Sequence, residues 1–334
     1  MKKEAMKLWN PEEYTYPLAF GFIPNIVPYI HEEDDEVRPC MIVVPGGGYC
    51  VVSPTEAEIV AKVFYEMGYQ AFVLTYTTNR LMREPLKDQP MKDLSRAIRY
   101  VRKHAEEFRI RPDQVAICGF SAGGHLSASV CVYHMNVAEE NPEYSGYSNR
   151  PDAAILSYPV ITCGKYAHKG SFEALLGPEG EPGSKQAEAW EKMSLENHVT
   201  PATPPCFLWQ TATDELVPVE NSYFFAMACK DAGVPFAHHV FTEGAHGLSL
   251  ANEDWEDGRF GTWYTAEQDY CLVDAIRKGL IEVDEEQKKW LFLQFDGSER
   301  DLGRDGRKGN TEVQVWPWLA GRWLEEIWKK QENN

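Results

Sequence analysis

Val115-Ala116-Ile117-Cys118-Gly119-Phe120-Ser121-Ala122-Gly123-Gly124-His125-Leu126 is the stretch from which the rest of the chain is read. An apolar, β-branched run stops at Gly-x-Ser-x-Gly, and a small-residue segment rich in helix formers follows. That pattern predicts a strand turning sharply into a helix, with a serine at the corner. Small flanking residues admit the strained backbone such a corner needs, and the serine hydroxyl then stands above the sheet. The helix N-terminus presents unpaired N–H groups to any negative charge forming beside that hydroxyl. A glycine-rich turn with serine as helix N-cap satisfies the same five residues, so the rest of the chain has to separate the two.

Upstream, Cys40-Met41-Ile42-Val43-Val44 and Gln70-Ala71-Phe72-Val73-Leu74-Thr75-Tyr76 are near-continuous apolar runs, as expected of strands buried on both faces. Between them Ser53-Pro54-Thr55-Glu56 reads as a helix start, with serine as N-cap, proline at the first position and Glu56 closing a capping box. Met91, Leu94, Ile98, Val101 and Phe108 recur at helical spacing and predict one long amphipathic helix over 88–108. Downstream, strands are expected at Asp152–Tyr158, Pro205–Thr211 and Pro235–Phe241, with helices over 218–232, 171–176 and 184–196. Short extended segments are expected at Tyr14–Leu18 and Ile26–Ile30, before an acidic run at 32–36 that reads as a solvated turn. Strand and helix alternate, which defines an α/β fold with a mainly parallel central sheet covered by helices on both faces.

The whole of 1–334 is read as a single domain, with a core at about 38–250, a final helix at 314–330 and an insertion at 251–310. Helices are expected in that insertion at 265–279 and 283–294, and an exposed loop at 297–309. Its aromatics, among them Trp255, Tyr264 and Trp290, fit a cover over the site, a subunit contact or plain core.

Composition narrows the partners. The 334 residues are 43% hydrophobic and 25% charged, ordinary for a globular protein. A net charge of −18 without any Lys/Arg run speaks against nucleic acid and anionic membrane surfaces and leaves a small-molecule substrate. No apolar run reaches the ~20 residues of a membrane span, and Met1–Lys7 is not followed by the apolar segment of a secretory signal. Eight cysteines are scattered singly, without Cys-x-x-Cys or Cys/His ligand spacing, so neither disulfides nor a metal site is expected. A cytoplasmic location follows as the expectation, and a homo-oligomer is compatible with all of this.

A serine nucleophile needs a base to take its proton, an acid to orient the base, and N–H donors for the oxyanion. In a parallel α/β sheet these belong in loops at the carboxyl ends of strands. The loop after the 205–211 strand offers Asp214 and Glu215. Asp214 is preferred because it comes first and has the shorter reach; a helix N-cap is its plain alternative. Among the nine histidines, His238 and His239 fall within a strand, and His104, His125 and His134 in or beside helices. His246 instead lies in the short glycine-flanked loop after the last strand, and is the candidate base. Pro45-Gly46-Gly47-Gly48-Tyr49 follows the first clear strand, and three consecutive glycines imply close backbone approach. Its N–H groups, with that of Ala122, are the candidate oxyanion donors. The lysine and Ser/Thr of a P-loop and the spaced glycines of a dinucleotide site are missing. The order glycine loop, Ser121, Asp214, His246 is that of an α/β-hydrolase.

Together with Asp214-Glu215-Leu216-Val217-Pro218 and His246-Gly247-Leu248, these motifs resemble the α/β-hydrolase esterases related to acetyl esterases and acetylxylan esterases, including the bacterial group similar to feruloyl esterases. The resemblance covers about 38–250 plus the final helix; the 251–310 insertion is longer than the family leads one to expect. Pro45 stands where lipase-like relatives carry histidine, which places the loop in the xylan-esterase-like branch and gives Gly47 and Gly48 the oxyanion role beside Ala122. The resemblance implies a serine carboxylesterase needing no cofactor or metal. Its substrate would be a small-molecule ester carrying short acyl groups, chiefly acetyl, on xylo-oligosaccharides or similar sugars. Tyr49 and Trp209 are near the expected pocket, as sugar-stacking or as packing residues. Two rivals share the fold: a serine peptidase of the prolyl-oligopeptidase type, for whose propeller this length leaves no room, and a non-catalytic binding member, which usually lacks a triad residue.

Overall fold

Neighbouring residues of a strand face opposite sides, so a strand apolar at every position has to be covered twice. The computed structural model describes residues 4–295 and 306–332, and in it that condition holds through the middle of the chain. Cys40, Ile42 and Val44 enter one core, and Met41 and Val43 enter another on the opposite face.

The elements begin with β1 (Met6–Lys7), β2 (Asn25–Tyr29), β3 (Arg38–Val44), α1 (Glu58–Glu66) and β4 (Gln70–Thr75). Next come α2 (Gln89–Lys103), the single turn α3 (Ala105–Phe108), β5 (Ile110–Phe120), α4 (Ala122–Tyr133), the single turn α5 (Pro142–Ser145) and β6 (Ala153–Ser157). They continue with α6 (Lys169–Leu176), α7 (Lys185–Lys192), β7 (Cys206–Thr211), α8 (Glu220–Asp231) and β8 (Phe236–Phe241). The last are α9 (Glu253–Glu256), α10 (Glu267–Arg277), α11 (Glu285–Gln294) and α12 (Trp316–Glu332). The sheet runs β1-β2-β4-β3-β5-β6-β7-β8. From β4 to β8 every pairing is parallel; β2 runs antiparallel to β4, and β1 to β2. One face is covered through Leu94 and Ile98 of α2, Leu126 and Val130 of α4 and Phe225 of α8. The other is covered through Val60 and Phe64 of α1 and Trp316, Leu324 and Ile327 of α12. The α/β architecture expected from the alternation is the one observed.

Trp316 joins the last helix to the strand ends that matter below. It is fully buried, stacks on Trp209 at 5.3 Å and meets Phe120 edge-on at 5.8 Å. Its indole N–H donates to the Ser249 carbonyl at 2.8 Å. Trp316→Ala leaves a large cavity and an unpaired carbonyl, and is expected to destabilise the fold by about 3–5 kcal/mol in urea titration. A loss under about 1 kcal/mol would show that α12 does not lock onto the sheet through this residue.

Several local expectations change. Tyr14–Leu18 forms no strand; it is held by side chains instead, Tyr14 Oη pairing with Thr77 Oγ1 at 3.0 Å and Tyr16 Oη donating to the Glu84 carbonyl at 2.8 Å. The helix expected over 88–108 breaks at His104 (φ −98°, ψ 23°). The break turns Phe108 onto Phe72, with ring centroids 5.2 Å apart, and Arg109 at φ 52° starts the chain into β5. Ser53-Pro54-Thr55-Glu56 is a short 3₁₀ turn in which the Ser53 side chain caps nothing and Glu56 is buried. In the insertion, Trp255 and Phe260 belong to the α12-side core, while α10 and α11 close a smaller cluster over Leu81. Trp255 therefore belongs to the core and also lines a cleft beside His246, while Trp290 is 45% exposed, with the Arg80 guanidinium 5.4 Å from its ring centre. The loop expected at 297–309 lies, up to residue 305, outside the described residues.

Candidate active site

The serine corner is built by close contact. Ser121 has φ 52° and ψ −117°, a strained conformation at the junction of β5 and α4. Its N–H donates to the Ser157 carbonyl of β6 at 3.0 Å, and its carbonyl accepts from His125 N–H at 3.0 Å. The helix can start here only because Gly123 carries no side chain: a Cβ there would lie 2.1 Å from the Val44 carbonyl oxygen and 2.4 Å from that of Pro45.

His246 reaches this corner from the loop after β8. Its Nε2 is 2.7 Å from Ser121 Oγ, and its Nδ1 is 2.7 Å from Asp214 Oδ2. The Asp214 side chain is 1% exposed and that of His246 12%. Asp214 Oδ1 accepts from Leu216 N–H at 3.0 Å and Val217 N–H at 2.9 Å, and Gln210 Nε2 donates to Oδ2 at 3.3 Å. With its oxygens held by the following turn, the carboxylate has one orientation, aimed at the imidazole. Glu215, its neighbour and rival, is exposed. Asp214 does not cap α8, whose N-cap position is Val219. The three side chains chosen from loop position are thus brought into one hydrogen-bonded line.

The glycine loop lies beside them. Gly47 has φ 116°, Gly48 φ 63° and Tyr49 φ 61°, a run of left-handed conformations directly after Gly46, whose Cβ position would lie 2.9 Å from Ser121 Cβ. Among the described residues the N–H groups of Gly47, Gly48 and Ala122 make no hydrogen bond, so all three remain available to a ligand. The Gly46 N–H is already used: it donates to Glu56 Oε2 at 2.7 Å. Glu56 Oε1 accepts from Tyr158 Oη at 2.7 Å, and Tyr158 Oη accepts from Ser249 N–H at 3.0 Å. Burial pushes the Glu56 carboxyl pKa up, against the hydrogen bonds from Tyr158 and Gly46 and the attraction of His246. Neither Glu56 nor Tyr158 was legible as a site residue, since one sits in a capping-box pattern and the other at a strand end.

Tyr49 and Trp209 are not positioned to stack on a sugar. Tyr49 is 1% exposed, and its hydroxyl donates to His125 Nδ1 at 2.8 Å while its carbonyl accepts from Asn79 N–H at 2.8 Å. His125 Nε2 faces the Met193 carbonyl at 3.0 Å, and burial pushes its pKa down to about 4, which keeps the ring neutral. Trp209 is fully buried between Tyr158 and Trp316. Both are packing residues that shape the loop and floor. His168 caps α6 by accepting from the Ser171 N–H at Nδ1; burial and the nearby His246 push its pKa down.

A sheet of this order, with the serine at the β5 corner, the acid after β7 and the histidine after β8, is that of the α/β-hydrolases. The BD-FAE family model matches residues 28–228, and the chain belongs to that family. Endo-1,4-beta-xylanase B of Butyrivibrio fibrisolvens is 47% identical over 268 residues, 80% of this chain and 41% of that protein. The acetylxylan esterase of Xylanibacter ruminicola is 32% identical over 266 residues, 78% of this chain and 49% of that protein. The chain thus spans less than half the length of these two relatives. The crystal structure of an acetyl ester-xyloside bifunctional hydrolase from Caldicellulosiruptor lactoaceticus is 38% identical, with a TM-score of 0.68 over 84% of this chain and 97% of that one.

Proposed function

We propose that this chain is a serine carboxylesterase that removes short acyl groups, acetyl first, from xylo-oligosaccharides or related sugars. The observation that carries the reading is the line Asp214–His246–Ser121, with both contacts at 2.7 Å. In the proposed reaction Ser121 Oγ attacks the ester carbonyl carbon and its proton passes to His246 Nε2, while Asp214 holds the imidazole. The carbonyl oxygen becomes an oxyanion held by the N–H groups of Gly47, Gly48 and Ala122. Collapse breaks the bond to the alcohol, which leaves with the proton from His246. Water, deprotonated by His246, then attacks the acyl-serine; the carboxylic acid departs and Ser121 regains its proton.

The sugar assignment rests on two supports. Two of the three relatives carry acetyl esters of xylan or xylosides in their names, and the third carries xylan. A cleft of about 930 Å³ opens beside His246, lined by polar Thr213, Glu243 and Asn310 and by apolar Leu216, Leu248 and Trp255. Polar groups beside an apolar, aromatic wall suit the hydroxyl edges and C–H faces of a sugar leaving group. All eight cysteines are unbridged, which supports the proposal that the reaction runs in the cytoplasm.

A screen of acetate release across acetylated xylo-oligosaccharides, simple nitrophenyl esters and acylated peptides tests the substrate. Turnover of the acetylated sugars is expected to exceed that of butyryl or longer esters by tenfold or more in kcat/KM, on the order of 1.4 kcal/mol. Preference for peptide bonds would favour the peptidase reading, and inertness towards every ester would remove the esterase reading.

A further inference from the structure

A buried carboxylate that the proposed chemistry does not use lies directly behind the site. Glu56 is 4% exposed. A Cβ placed on Gly46 would lie 3.0 Å from Glu56 Oε2 and 2.9 Å from Ser121 Cβ, so one glycine of backbone separates this carboxylate from the nucleophile. Each of its oxygens accepts one hydrogen bond at 2.7 Å, from Gly46 N–H and from Tyr158 Oη. Tyr158 in turn accepts from Ser249 N–H at 3.0 Å, and its ring meets the His246 ring edge-on at 5.0 Å. Backbone strain marks the same region, with φ 36° at Tyr158 and 51° at Ser249.

We propose that Glu56 is a positioning residue: it clamps the glycine loop at Gly46 and, through Tyr158, the loop that carries His246, so that oxyanion donors and base are fixed relative to each other. The proposal rests on the serine-hydrolase reading above. Its physical logic is that two loops from distant parts of the chain have to agree in position to within a fraction of an ångström. A buried acceptor with two donors supplies a common anchor for both. Glu56 touches no reacting atom, so its effect is on the alignment of Gly47 and Gly48, which follow the clamped residue.

The test compares Glu56→Ala, Glu56→Gln and Tyr158→Phe, with active sites titrated by a fluorophosphonate and kcat expressed per titrated site. Glu56→Ala removes both acceptors and is expected to lower kcat about 100-fold with KM within about threefold of the parent enzyme. Glu56→Gln keeps one oxygen for the Gly46 N–H, and Tyr158→Phe cuts only the link to the histidine loop; each is expected to lower kcat about tenfold. The Glu56→Gln/Tyr158→Phe double variant is expected to be little worse than the worse single one, because both act on one bridge. A purely structural role would lower the melting temperature and leave kcat per titrated site within threefold, which would overturn the proposal. Should Glu56→Ala fail to fold, the other two variants decide. Fully additive losses would also overturn it. Failure of the parent enzyme to label at Ser121 would instead sink the serine-hydrolase reading, and this proposal with it, so the two failures are told apart.

Discussion

Ser121→Ala is expected to lower kcat for acetyl ester hydrolysis by about 10⁴- to 10⁶-fold, with the melting temperature within a few degrees of the parent protein. Only Oγ is lost, and the backbone that holds the corner is fixed by contacts the substitution leaves alone: Ser121 N–H to Ser157 and Ser121 carbonyl to His125. What disappears is the atom 2.7 Å from His246 Nε2, the one group in line to form an acyl intermediate. Oxyanion donors and the cleft persist, so a small residual rate over water is expected rather than none. Acetate release under saturating nitrophenyl acetate, with enzyme concentration from absorbance, measures it. Turnover within tenfold of the parent would remove Ser121 as the nucleophile.

The second large effect is on folding. Gly123→Ala is expected to destabilise the protein by more than about 4 kcal/mol, or to prevent soluble expression. The added methyl would sit 2.1 and 2.4 Å from two backbone oxygens, those of Val44 and Pro45, and neither is the free end of a side chain. Moving them means parting β3 from β5, whose register pairs Val43 with Cys118 and Val44 with Gly119. Gly146 is the matched control: it has φ −77°, and a Cβ there meets nothing within 4 Å. Gly146→Ala is expected to change stability by less than about 1 kcal/mol. Urea midpoints for the pair give the answer, and equal midpoints would refute the account of why α4 begins at a glycine.

The legible features were those with a periodic or punctuated signature. β3, β4, β7 and the Val115–Phe120 part of β5 are mostly apolar because both faces are covered, and such runs admit few readings. Ser121, Asp214 and His246 could be found because a parallel sheet restricts function to one set of strand ends, and few polar residues occupy those loops. Glu56 was missed because its signature belongs equally to a helix start; what distinguishes it is burial against Gly46 and Tyr158, and both partners are non-local. Trp209 was left between stacking and packing for the opposite reason. It lies near the site along the chain, but strand alternation turns its ring under the sheet towards Trp316 rather than into the cleft. The break at His104 was hidden because α2 and α3 share one apolar stripe on both sides of it.

The anchor between Trp316 and Ser249 also sets an order of events during synthesis. The two residues are 67 positions apart. At about 5–20 residues per second, the ribosome needs about 3–13 s to make the intervening chain. Over that interval a nascent polypeptide already holds the nucleophile, the acid and the histidine, yet lacks the indole that pins the loop behind the histidine. The step that tightens the site therefore waits on a residue made well after the triad itself, and the loop carrying the histidine gains its last anchor only then.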